Sequence, residues 1–126
     1  MGAGHGNGGR VLVVDDNVAL AENIAEVLTI DGFVTEVAAS AEEALPKALS
    51  EDVAVVVTDY RLPGITGAEL VVRVRHARSN VLCIVISAHT DDGTVRTAEA
   101  AGARFLSKPL DLGQLTRVVS GADGRA

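Results

Sequence analysis

The sequence predicts an α/β fold, a single domain whose parallel sheet carries helices on both faces. Three observations predict it. Short, mostly β-branched apolar runs recur at 11–14, 33–37, 53–57, 81–86 and 104–106, as strands do. The longer runs are apolar without interruption, which is expected of parallel strands covered on both faces. Segments of helical period lie between them, in strict alternation, and that alternation implies a parallel sheet with helices on both sides.

The helical stripes are Leu20, Ile24, Val27 and Leu28, then Ala44, Leu45, Ala48 and Leu49, then Leu70, Val71 and Val74. Val95, Ala98 and Ala101 form a weaker fourth, and Leu112, Leu115, Val118 and Val119 the fifth. Cap signals support them. Ser40 with Glu43 and Thr66 with Glu69 have the spacing of capping boxes, and Asp111 with Gln114 is an Asp-headed version. Gly32 and Gly102 stand where helix C-terminal glycines belong. Pro46 conflicts with the second helix, because its missing N–H and its ring cost about 3 kcal/mol in a helix interior. A kink or a late start is expected there.

The chain has 126 residues, enough for one core. Hydrophobic residues make up 48% but aromatics only 2%, so Val, Leu, Ile and Ala must build that core. A formal net charge of −6 argues against a nucleic-acid-binding surface. The lone Cys83 lies inside an apolar run and reads as a small buried hydrophobe. It cannot form an internal disulfide, in keeping with a reducing, cytoplasmic setting. No apolar run approaches the roughly 18 residues of a membrane span, and no signal peptide is visible. Residues 1–9 are Gly-rich and read as a disordered tail, residues 10–120 as the domain, and 121–126 as a frayed end. Gly4, Gly6 and Gly9 match a dinucleotide-loop spacing, but they precede the first strand, where such a loop must follow it.

Right-handed crossovers bring the C-terminal ends of all the strands to one edge, where open α/β sheets bind ligands. The first strand ends in Asp15-Asp16, the third in Asp59, the fourth in Ser87 and the fifth in Lys108-Pro109. Three carboxylates, a hydroxyl and an ammonium therefore converge. Adjacent carboxylates stay ionised only when a cation compensates them, and all-oxygen ligation suits Mg²⁺ or Mn²⁺.

These residues, with Thr58-Asp59-Tyr60-Arg61-Leu62-Pro63-Gly64-Ile65-Thr66-Gly67 and Phe105, resemble the receiver domain of two-component response regulators. The resemblance covers roughly residues 10–119. It implies a doubly wound, flavodoxin-like sheet of five strands in the order 2-1-3-4-5 with five helices. It implies that Asp59 is the phosphoacceptor, charged by a sensor histidine kinase or a histidine phosphotransfer protein. Asp15, Asp16, Asp59 and the backbone carbonyl of Arg61 would hold Mg²⁺. Lys108 would pair with Asp59 and then with the phosphoryl group, which Ser87 would also bond. Ser87 and Phe105 would form the switch, and the Lys108–Pro109 peptide would be cis. The output would pass through the face of the fourth helix, fifth strand and fifth helix to an unidentified partner. Such a chain is a signalling phosphoacceptor rather than an enzyme. Phe105 lacks the hydroxyl of the commoner tyrosine, and Ser87 keeps the hydroxyl of the commoner threonine. Arg61 and His89 flank the site, either as solvated loop side chains or as groups that tune the acyl phosphate's lifetime.

Three other readings compete. A dehalogenase-type aspartyl-phosphate phosphatase would need Asp-x-Asp on its first strand, where this chain has Asp15-Asp16-Asn17. A flavin mononucleotide carrier would need a Ser/Thr/Gly phosphate loop after Val14, which is missing. A receiver-like interaction module that is never phosphorylated would lack a site residue, and here none is missing.

Overall fold

The computed structural model describes residues 9–88 and 91–121. Strands and helices alternate: β1 (Arg10–Val14), α1 (Val18–Ile30), β2 (Val34–Ala38), α2 (Ala41–Ala48), β3 (Val53–Asp59), α3 (Gly67–Ala77), β4 (Leu82–Ser87), α4 (Asp92–Ala100), β5 (Arg104–Ser107) and α5 (Leu112–Gly121). The five strands are parallel, in the order β2-β1-β3-β4-β5. Both the fold class and the strand order agree with the sequence expectation. Strand bounds differ by a residue or so, as at β2 and β4.

The uninterrupted apolar runs are explained by the two faces of the sheet. Successive strand residues point to opposite sides. Val11, Val13, Val55, Val57, Ile84 and Ile86 pack against α1 and α5 through Ile24, Leu28, Leu115 and Val119. Leu12, Val14, Val56, Cys83 and Val85 pack on the other side, against Ala44, Leu70, Val71, Val74 and Ala98 of α2, α3 and α4. With so few aromatics, small residues such as Ala21, Ala44, Ala48 and Ala98 let the helices sit close to the sheet. Cys83 is fully buried, and burial pushes its thiol up to about 11.

The caps form, with differences in their return arms. Ser40 Oγ accepts from Glu43 N–H at 3.1 Å, but the Glu43 carboxylate reaches Ala39 N–H, one residue before the cap. Thr66 Oγ1 accepts from Glu69 N–H, while the Glu69 carboxylate turns to Arg73 at 2.7 Å. Asp111 caps α5 through Gln114 N–H at 3.0 Å. Gly32 and Gly102 have φ of +99° and +95°. At Gly102 the positive φ is the reason for glycine, since the atoms a Cβ would meet there belong to the flexible Arg75 side chain.

The late start expected of α2 is not seen. The helix begins at Ala41 under the Ser40 cap and runs through Pro46. Pro46 has no N–H for the Glu42 carbonyl, so the ladder is broken there, and the helix ends two residues later at Ala48. One residue of each expected tail, Gly9 and Gly121, is described. Gly9 lies against the domain, where a Cβ would come 2.8 Å from Ala54 Cβ, and α5 extends to Gly121. The rest of both tails, 1–8 and 122–126, lies outside the described residues. Among the described residues no helix is long and apolar enough to cross a membrane.

Candidate functional site

Strand register assembles the site. Val14 pairs with Thr58, so the next residues, Asp15 and Asp59, emerge side by side from β1 and β3. Asp59 pairs with Ile86, the residue before Ser87, and Ser87 pairs with Ser107, the residue before Lys108. The edge therefore presents Asp15, Asp59, Ser87 and Lys108 from four neighbouring strand ends. β1 lies between β2 and β3, so the carboxylates straddle the point where the strand order reverses.

Lys108 Nζ lies 2.8 Å from Asp59 Oδ1. The other Asp59 oxygen, Oδ2, accepts from Arg61 N–H at 3.2 Å. Lys108 is aimed by its own backbone, whose N–H donates to the Ser87 carbonyl at 2.9 Å; its peptide bond to Pro109 is cis. Ser87 is buried. Asp15 is only 5% exposed, and its Oδ1 accepts from Asn17 N–H at 2.9 Å. Burial holds the Asp15 carboxyl above its ordinary range. Asp59 and Asp16 add to that shift, while Asn17 N–H and Lys108 oppose it. Asp16 itself is exposed.

Asn17 is a site residue that the sequence reading passed over. Its side chain caps α1 by accepting from Leu20 N–H at 3.1 Å, while its backbone fixes Asp15. The available signal was an Asn just before a helical stripe, a standard N-cap residue. A recess of about 190 Å³ opens beside Asp15 and Lys108, floored by Leu20, Ile24, Ile86, Pro109 and Leu110. A larger groove, about 750 Å³, lies away from the carboxylates, between α2 and the loop before α3, and is mainly apolar.

Phe105 is half-buried, pairs in register with Val85, and packs on the α2–α4 side of the sheet. Arg61 is exposed, and its bridge to Thr66 closes the loop after β3. His89, the other flanking residue singled out in the sequence, lies outside the described residues. Among the described residues no three His, Cys, Asp or Glu side chains form a ready-made metal cage. The carboxylates instead have other partners: Lys108 and Arg61 N–H at Asp59, and Asn17 N–H at Asp15. Their donor set is oxygen throughout, and the strain on Asp15 is of the kind a divalent cation relieves.

Comparison with known proteins shows the family of the chain. The family model described as "Response regulator receiver domain" matches residues 11–120. A response regulator receiver protein of Anaeromyxobacter sp. (strain Fw109-5) is 37% identical over 102 residues, covering 80% of this chain and 43% of that protein. The chemotaxis protein CheY of Treponema pallidum is 32% identical over 108 residues, covering 81% of this chain and 74% of its own. The crystal structure of a response regulator receiver domain protein from Clostridium thermocellum superposes with a TM-score of 0.86 at 27% identity, over 93% of this chain and 95% of that one. The chain spans about half the length of several of the curated relatives it matches, 43 to 50% of each.

Proposed function

The chain belongs to the response regulator receiver domains, and from that premise we propose that it accepts a phosphoryl group on Asp59 from a histidine of a sensor kinase or a phosphotransfer protein. The observation that carries the proposal is the 2.8 Å contact between Lys108 Nζ and Asp59 Oδ1 beside the buried Asp15. It pairs a nucleophile with a cation that can pass to the incoming phosphoryl oxygens.

The residues fit a bound Mg²⁺ or Mn²⁺. Asp15, Asp16, Asp59 and the Arg61 carbonyl would hold it, all through oxygen. When bound, the metal offsets charge on the carboxylates and on the phosphoryl oxygens. The protein's own residues do the rest. A carboxylate oxygen of Asp59 attacks phosphorus as the P–N bond to the imidazole breaks. The electron pair stays on the imidazole nitrogen, and the new P–O bond makes an acyl phosphate. Such transfers depend on positioning and charge neutralisation more than on covalent help. Lys108 changes partner from Asp59 to a phosphoryl oxygen, and the Ser87 hydroxyl donates to another.

The phosphoryl group brings close to two negative charges and new acceptors. Drawing Ser87 towards it makes room on the sheet for Phe105, a half-buried ring on the neighbouring strand. That gives a two-state element whose readout is the face of α4, β5 and α5. The role is that of a cytoplasmic signalling phosphoacceptor, reset when water hydrolyses the acyl phosphate. The partner on the output face is another protein surface rather than nucleic acid, in keeping with the net charge of −6.

The test is incubation with Mg²⁺ and acetyl phosphate, read by intact mass. One phosphoryl adduct is expected, absent in Asp59→Asn. An adduct retained in Asp59→Asn overturns the assignment, and steady release of phosphate from many unrelated phosphomonoesters points to a phosphatase instead.

A further inference from the structure

The carboxylate proposed to take the phosphoryl group rests on a contact at its back. Gly67 is the first residue of α3, just after the Thr66 cap. Its N–H donates to the Tyr60 carbonyl at 2.7 Å, and the Arg61–Thr66 bridge closes the loop between them. The start of α3 is thereby held against the end of β3. A Cβ built on Gly67 would land on the Asp59 carbonyl oxygen, and it would stand 3.1 Å from the Asp59 carbonyl carbon and 3.2 Å from Thr58 Cγ2. Conformation is not the reason for glycine here, because φ at Gly67 is not positive. Space is the reason, and the obstacle is main chain, which cannot swing aside as a long side chain does.

The surroundings leave little room for a methyl group. Thr58 Oγ1 donates to the same Asp59 carbonyl at 2.9 Å, and Tyr60 N–H is tied to the Ile86 carbonyl at 2.8 Å. Lys108, on the far side of the carboxylate, is tied to β4 through the Ser87 carbonyl. A group that pushes on the Asp59 main chain therefore moves the carboxylate while Lys108 stays in place. We infer that Gly67 is a positioning residue for phosphoryl transfer: its missing side chain sets where Asp59 stands opposite Lys108 and Arg61 N–H. This rests on the reading of Asp59 as the phosphoacceptor.

The experiment compares Gly67→Ala with Val71→Ala, a fully buried position one turn further along the same helix, within the apolar core on that side of the sheet. Each is measured for urea stability, for the phosphorylation rate at saturating acetyl phosphate, and for the amide resonance of Arg61, whose N–H bonds Asp59 Oδ2. The expected result is a rate loss on the order of 10- to 100-fold in Gly67→Ala, as for a displacement of about 1 Å at a reacting group. Its Arg61 amide should shift strongly. Val71→Ala should lose as much stability with a rate within about twofold of the parent and an unmoved Arg61 amide. If Gly67→Ala does not fold, Gly67→Ala/Thr58→Ser carries the test, since it removes the Thr58 methyl facing the new group. A folded Gly67 variant with parental rate and Arg61 amide overturns the inference. So does equal loss in both helix variants, or failure of both Gly67 variants to fold, which would make Gly67 a requirement of the fold alone. Asp59→Asn run alongside separates the two levels. If it still takes up phosphoryl, the Asp59 reading fails, and the Arg61 amide alone still decides whether Gly67 positions this carboxylate.

Discussion

Lys108 reaches across the strand tips to place its ammonium 2.8 Å from Asp59 Oδ1, although the two residues come from β3 and from the loop after β5, with β4 between them. β4 bridges them: Asp59 pairs with Ile86, and Lys108 N–H bonds the Ser87 carbonyl. Both anchors are main-chain contacts, so the ion pair is aimed by the sheet itself.

Removing the ammonium should therefore abolish chemistry without abolishing the fold. Lys108→Ala is expected to slow phosphoryl uptake from acetyl phosphate by a factor on the order of 10² to 10³, the usual cost of deleting a donor to developing phosphoryl or oxyanion charge. Lys108→Arg should recover only part of it, because a planar guanidinium does not replace a compact ammonium. Intact-mass time courses measure both. Uptake by Lys108→Ala at the parental rate would remove Lys108 from the transfer step.

The raised Asp15 carboxyl makes a pH prediction. Burial comes first among its causes, with Asp59 and Asp16 adding to it. A carboxyl whose folded pKa exceeds its unfolded value binds more protons folded than unfolded between the two. Its contribution to stability then falls as pH rises through that window, which begins near the ordinary 3.8 and ends at the raised value. Above the window the penalty is fully present. Asp15→Asn should remove it, raising stability at neutral pH and flattening this part of the profile. Glu36 acts in the opposite sense, since its hydrogen bond from Lys47 holds its carboxyl low. The parent-minus-variant difference isolates Asp15. Urea melts from pH 4 to 8 without divalent metal measure it, and an Asp15→Asn variant less stable at pH 7 than the parent contradicts the sign.

Pro46 sits on the exposed face of α2 and leaves the Glu42 carbonyl without its helical donor. Pro46→Ala restores that N–H and loses little packing. Against the gain stands the greater freedom of the unfolded chain without proline, about 0.4–1 kcal/mol. A net stabilisation of about 2 kcal/mol is expected, read as a higher urea midpoint at unchanged slope. No gain would mean that α2 tolerates its break at little cost.

Much of this was legible from local chemistry. Strand tips can be read because a buried run that ends in Asp, Ser or Lys has few explanations, and register then fixes which tips are neighbours. Ser40, Thr66 and Asp111 were readable as caps because the donor they satisfy lies three residues on. Long-range main-chain contacts were not readable. Nothing local in Gly67 says that it abuts Asp59, whereas the bond from Asn17 N–H to Asp15, two residues back, is a local turn that an Asp readily forms. Pro46 misled because propensity puts a price on a helix interior, whereas α2 already has a strong cap at Ser40 and packs its Ala41, Ala44 and Ala48 face on the core.

Arg78 is a further case, invisible in sequence as one more arginine at a helix end. It folds back from the C-terminus of α3 to the turn between α2 and β3. The two N–H groups of its Nη1 are shared among the carbonyls of Ala48, Ser50 and Val53 at 3.1, 2.6 and 2.7 Å, and its Nη2 donates to that of Glu51 at 3.2 Å. One guanidinium thus satisfies the frayed end of a short, proline-broken helix and the entry to the strand that carries Asp59. Hydrogen bonds from a charged donor contribute about 1.5–3 kcal/mol, and these four share one group and are partly exposed. Arg78→Ala should therefore cost about 2–3 kcal/mol in total. Arg78→Lys should recover less than half, because an ammonium cannot span four carbonyls as a fork does. Urea denaturation measures the loss, and amide hydrogen exchange should locate it at the end of α2 and the start of β3. A loss below about 0.5 kcal/mol, the scale of an ordinary surface substitution, would mean that water serves those carbonyls as well as Arg78 does.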